Sequence, residues 1–81
     1  MAEFTKMLLM NKREHDLSLI VEPWGEIYSM PAGATFEVRF EIAGEGTVDL
    51  PVIVWTEDSV ALYAVVGGEI ELFHEGQNVR E

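Results

Sequence analysis

From Thr35 to Ile42 apolar and polar residues alternate without a miss. Phe36, Val38, Phe40 and Ile42 fall on one face, and Thr35, Glu37, Arg39 and Glu41 on the other. Side chains of an extended chain point alternately to opposite faces, so this period predicts a strand with one dry side. A helix would scatter the same four apolar residues around its axis. A second pattern surrounds Gly67-Gly68, where Val60–Val66 and Glu69–Glu75 both read as strands. Two glycines accept the positive φ that a two-residue hairpin turn demands. The expected hairpin pairs Val65 with Ile70, Tyr63 with Leu72 and Ala61 with His74. Its first strand is apolar on both sides and belongs inside a sheet. Its second has an acidic face and suits an edge.

The remaining pattern is coarser. Phe4–Asn11 is an apolar run open to strand or short helix, and Lys12–Asp16 is a polar turn. Leu17–Glu22 alternates as a strand, and Glu26–Ser29 is a very short one. Ala43-Gly44-Glu45-Gly46 reads as a turn. Thr47–Trp55 is strand-like, but Pro51 lacks a backbone N–H and marks an edge or a break. Thr56-Glu57-Asp58-Ser59 reads as a hairpin loop. Glu22-Pro23-Trp24-Gly25 and Met30-Pro31-Ala32-Gly33 share the spelling x-P-x-G, which reads as two type I turns with proline second and glycine fourth. Such a double reversal leaves a hole at the sheet's end. Trp24 is expected to fill it; an indole open to water there would instead be a ligand platform.

About seven short strands with turn signals roughly every 8 to 12 residues predict an all-β fold. The expected architecture is one domain over residues 1–81, a small antiparallel β-sandwich of Ig-like or cupredoxin-like type. A small barrel or a cupin-like jelly roll is the alternative.

Composition narrows the functional classes. A chain of 81 residues without cysteine has no disulfide framework and no cysteine-based zinc site. A domain this small buries only about 60% of its unfolded surface, so it gains from a partner subunit. A homo-oligomer or a protein partner is therefore expected. The net charge of -10, with Lys6, Lys12, Arg13, Arg39 and Arg80 as the only Lys and Arg residues, argues against nucleic-acid binding and against anionic membranes. No run approaches the ~20 apolar residues of a membrane helix and no signal-peptide pattern opens the chain, so the expected location is cytoplasmic.

The stretch Leu17–Val38 resembles a pattern found in small uncharacterised bacterial all-β proteins, an EPWGE-x-Y-x-x-PxG motif. Glu22, Pro23, Trp24, Gly25, Glu26, Tyr28, Pro31 and Gly33 carry it. The resemblance implies a fold and no activity.

Candidate chemistry is sparse. There is no elbow motif around Ser18, Ser29 or Ser59 and no phosphate-binding glycine loop. His15 and His74 lack the compact cluster of a metal site. No catalytic residue, metal or cofactor is expected, and an enzyme using His74 as a base is the weakest reading. The aromatic residues are the remaining lead: Trp24, Trp55, Tyr28 and Tyr63 can form a sugar- or peptide-stacking surface, and Trp24, Tyr28, Trp55 and His74 are the candidate ligand-binding set. The expected function is a non-catalytic, self-associating interaction module. The alternatives are a carbohydrate- or small-ligand-binding domain using Trp24 and Trp55, and an acidic inhibitor or DNA mimic of a mobile element, suggested by charge alone.

Overall fold

The computed structural model describes residues 4–41, 51–65 and 68–80. The turn expected at Ala43–Gly46, the start of the strand expected at Thr47, and Val66 and Gly67 of the expected hairpin lie outside them. The described chain is all-β, with strands β1 (Phe4–Met10), β2 (Leu17–Glu22), β3 (Glu26–Met30), β4 (Thr35–Glu41), β5 (Val52–Trp55), β6 (Ser59–Tyr63), β7 (Ile70–His74) and β8 (Gln77–Asn78). They form two four-stranded sheets, ordered β1-β4-β7-β8 and β3-β2-β6-β5. The sandwich expected from the alternation is therefore present, with eight strands among the described residues rather than about seven. One pairing is not antiparallel: β2 runs parallel to β6.

The core follows from the alternation. Leu17, Leu19 and Val21 of β2 and Val60 and Leu62 of β6 face Phe36, Val38 and Phe40 of β4 and Ile70 and Leu72 of β7. Side chains on facing sheets interdigitate in this way because each sheet hides one face from water. β6 is flanked by β2 and β5, inside its sheet as expected, with Val60 and Leu62 in the core and Tyr63 facing out. Phe4–Met10 is a strand and not a helix, because β4 offers it a full antiparallel partner.

The expected Gly67-Gly68 hairpin is not formed. β6 belongs to one sheet and β7 to the other, so Val65, Tyr63 and Ala61 do not pair with Ile70, Leu72 and His74. The chain therefore changes sheets between β6 and β7. Gly68 is needed there for space, not for a positive φ. A Cβ on it would lie 2.5 Å from Val65 Cγ2. The tight two-residue hairpin sits instead at Glu75-Gly76, between β7 and β8. Both residues have positive φ, 53° and 82°, as a type I′ turn requires. β7 is consequently not an edge. β8 flanks it, and the Val79 N–H donates to the Leu72 carbonyl at 2.9 Å beyond that.

The two x-P-x-G segments are not type I turns with glycine fourth. Ala34 N–H donates to the Pro31 carbonyl at 2.9 Å, which makes Pro31 first and Gly33 third, at φ 81°. A positive φ at the third position is the mark of a type II turn. In the other segment the Glu22–Pro23 peptide is cis, and Gly25 N–H, at φ 72°, reaches the Val21 carbonyl.

Candidate binding surfaces

Trp24 is not the filler of a hole. It is 42% exposed, and the Arg80 guanidinium lies 4.6 Å from the centre of its ring. Arg80 follows β8, while Trp24 sits in the β2–β3 turn of the other sheet. The same guanidinium makes a two-pronged ion pair with Glu26 of β3, Nε to Oε1 at 2.8 Å and Nη2 to Oε2 at 3.1 Å, and it also donates through Nη1 to the Ile70 carbonyl. Such paired, charge-assisted bonds are the strong kind. The Tyr28 hydroxyl donates to Glu26 Oε1 at 2.6 Å. Glu26 and Tyr28 stand opposite the buried Val21 and Leu19, so they face inward along an edge. The cluster therefore ties the β3 and β8 sides of the two sheets together.

Arg80 first, then Tyr28, holds the Glu26 carboxyl down at about 2 from its ordinary 4.5. Burial first, then the adjacent carboxylate, pushes the Tyr28 phenol up. The hydrogen bonds that Arg80 donates to Glu26, chiefly, raise its own pKa.

The other two candidates lie elsewhere. Trp55 ends β5 beside Val60, which stands beside Leu19. Trp24 lies past Glu22, at the opposite end of the same sheet. The two tryptophans therefore share no surface. Trp55 is 46% exposed on an edge strand. His74 is half-buried and stacks on Phe36 with ring centres 4.6 Å apart. Its Nδ1 lies 3.2 Å from the Thr35 carbonyl, which only accepts, so Nδ1 carries the proton. Its neighbours are Phe36 and Thr35, not Ala61. His15 Nε2 meets the Glu57 carbonyl at 3.2 Å. Among the described residues no group of three or more His, Cys, Asp or Glu is placed to hold a metal ion. No helix among them is long and apolar enough to cross a membrane.

Among the described residues, two open hollows stand out. One, of about 500 Å³, is lined by Glu22, Trp24, Tyr63, Val65 and Glu69 among others. The other, of about 290 Å³, lies on the outer face of the β1-β4-β7-β8 sheet among Leu8, Glu37, Arg39 and Phe73. There Arg39 sits 4.1 Å over the Phe73 ring and pairs with Glu37 at 2.6 Å.

Sequence reasoning missed Arg80 and Asn11. The signal for Arg80 was available: it is one of two basic residues after position 13 in an acidic chain. Asn11 looked like the tail of an apolar run. It is buried, and its Nδ2 is within 2.9–3.1 Å of the Met30, His15 and Pro31 carbonyls.

No protein-family model, curated protein or solved structure matches the chain.

Proposed function

We propose that this chain is a non-catalytic interaction module that assembles with a second copy of itself through the free edge of β1. The contrast between the four sheet edges carries this reading. An edge strand offers unpaired N–H and C=O groups, and soluble proteins blunt it with brevity, inward charge or proline. β8 has two residues. β3 carries the inward Glu26, tied to Arg80. β5 has four residues and begins just after Pro51. β1 has none of these devices. It is seven residues long, with Lys6 as its single charge, and it pairs only with β4 among the described residues. Leu8 is 64% exposed, and Phe4, Met7 and Met10 are exposed with it.

Charge favours the same edge. Lys6, Lys12 and Arg13, three of the five basic residues, lie on or just after β1. At a net charge of -10 two copies repel, and these basic residues make the β1 edge the part of the surface where the excess negative charge is smallest. The Glu26–Arg80 cluster joins β3 to the β8 side, so β5 lies on the same side of the sandwich as β1. It adds the exposed Val52, Val54 and Trp55. Two identical edges related by a two-fold axis give a closed, self-complementary contact. The non-catalytic part rests on the histidines: His15, in the loop before β2, holds one ring nitrogen on the Glu57 carbonyl, and His74, on β7, holds one on the Thr35 carbonyl. Described carboxylates are spread over the outer face of one sheet, the 56–59 loop and the Trp24 end, which weighs against a phosphate-like array along one surface.

Light scattering across a concentration series tests the reading. The wild type forms dimers, Leu8→Lys and Met10→Lys shift it to monomer, and Ile27→Lys on the distant β3 edge changes nothing. Circular dichroism checks that each variant keeps its strands. A wild type that stays monomeric throughout, or Ile27→Lys acting like Leu8→Lys, overturns it.

A further inference from the structure

The larger hollow lies at the Trp24 end, away from the β1 edge. Glu22 stands beside Tyr63 in the parallel ladder, and Ala64 N–H donates to the Glu22 carbonyl at 3.1 Å. Backbone pairing thus fixes the floor. Trp24 and Tyr63 are 42% and 43% exposed, and Glu22 and Glu69 share the lining with Pro23, Ala64 and Val65. Val65 and Gly68, packed too close for a Cβ on the glycine, form one wall. The volume, about 500 Å³, falls within the roughly 300–1,000 Å³ of ligand clefts.

We infer that this cleft binds an organic cation, an ammonium or guanidinium head of about side-chain size. Aromatic ring faces attract cations, tryptophan most strongly, and the attraction grows where water is partly excluded. Two carboxylates beside two aromatic rings supply the opposite charge and the hydrogen-bond acceptors such a head requires. They repel an anion, and a neutral sugar could only hydrogen-bond to them, without the net charge attraction that a cation gains. The chain also shows this recognition at the same indole: the Arg80 guanidinium rests on Trp24. Glu26 neutralises Arg80, so the arginine does not repel a second cation nearby. The net charge of -10 raises the local concentration of cations around the whole molecule.

Four probes decide the matter by NMR: choline, its uncharged carbon isostere dimethylbutanol, N-acetyl-arginine amide and cellobiose. The Trp24 indole N–H resonance shifts saturably with choline or with the arginine derivative, and whichever binds more tightly identifies the head group. The Trp55 indole stays still and serves as the internal control. Dimethylbutanol and cellobiose leave Trp24 unmoved. Glu22→Gln combined with Glu69→Gln weakens cation binding by about tenfold or more. The single exposed change Glu69→Gln gives a smaller loss in the same direction and covers the case where the double variant does not fold. A monomeric Leu8→Lys variant binds as the wild type does. No shift with either cation, an equal shift with dimethylbutanol, a shift with cellobiose instead, or unchanged affinity in the folded Gln variants overturns the inference.

Discussion

Arg80 and Asn11 show what single residues decide in this fold. The Arg80–Glu26 pair joins the two sheets, and its strength depends on pH with a definite sign. Glu26 titrates near 4.5 when unfolded and at about 2 when folded. Its stabilisation is therefore complete above pH 4.5 and is lost as pH falls through about 2, because the unfolded chain takes up the proton first. Glu26→Gln lowers the melting temperature at neutral pH, and the gap to wild type narrows across that acid window. Thermal unfolding over a pH series measures it. Asn11 carries a different load: it satisfies carbonyls where the chain passes from one sheet to the other. Asn11→Ala leaves a buried carbonyl without a partner and costs about 2–3 kcal/mol in denaturant unfolding. Neither role was written in local pattern. The partner of Arg80 is 54 positions away, and the Met30 carbonyl is 19 positions from Asn11.

At the scale of the element, the strands were legible and their pairing was not. Thr35–Glu41 alternates because one sheet face is dry, and its side chains fall inward and outward as the spelling says. The same spelling is silent on which strand lies beside which. Gly67-Gly68 carries an ordinary hairpin signal, yet the sequence on either side goes to different sheets, and Glu75-Gly76 makes the tight turn. Glu75 holds a left-handed conformation, φ 53°, that a side chain without a short polar group tolerates poorly. Glu75→Asn raises stability by about 0.5–1 kcal/mol, since asparagine accepts this region more readily. Gly76→Ala lowers it by about 1 kcal/mol. Chemical denaturation of the two variants gives opposite shifts in midpoint.

For the whole molecule, the alternation foretold a small all-β sandwich, and a partner for it is the proposal built on its β1 edge. The candidate aromatics were legible as types, but their grouping needed the register. Parallel pairing of β2 with β6 sends Trp24 and Trp55 to opposite ends, and brings Trp24 together with Tyr63 and two carboxylates instead. Self-association through β1 opposes the net charge of -10, so added salt strengthens it by screening the repulsion. Sedimentation at low and high salt reads that direction, whereas an assembly held by ion pairs weakens. The most direct measurement is amide hydrogen exchange of β1 at rising protein concentration. Edge pairing predicts that the β1 amides not donated to β4 gain protection from micromolar to millimolar protein, while those of β3 do not. β1 amides whose exchange is independent of concentration, in protein that is otherwise folded, contradict it.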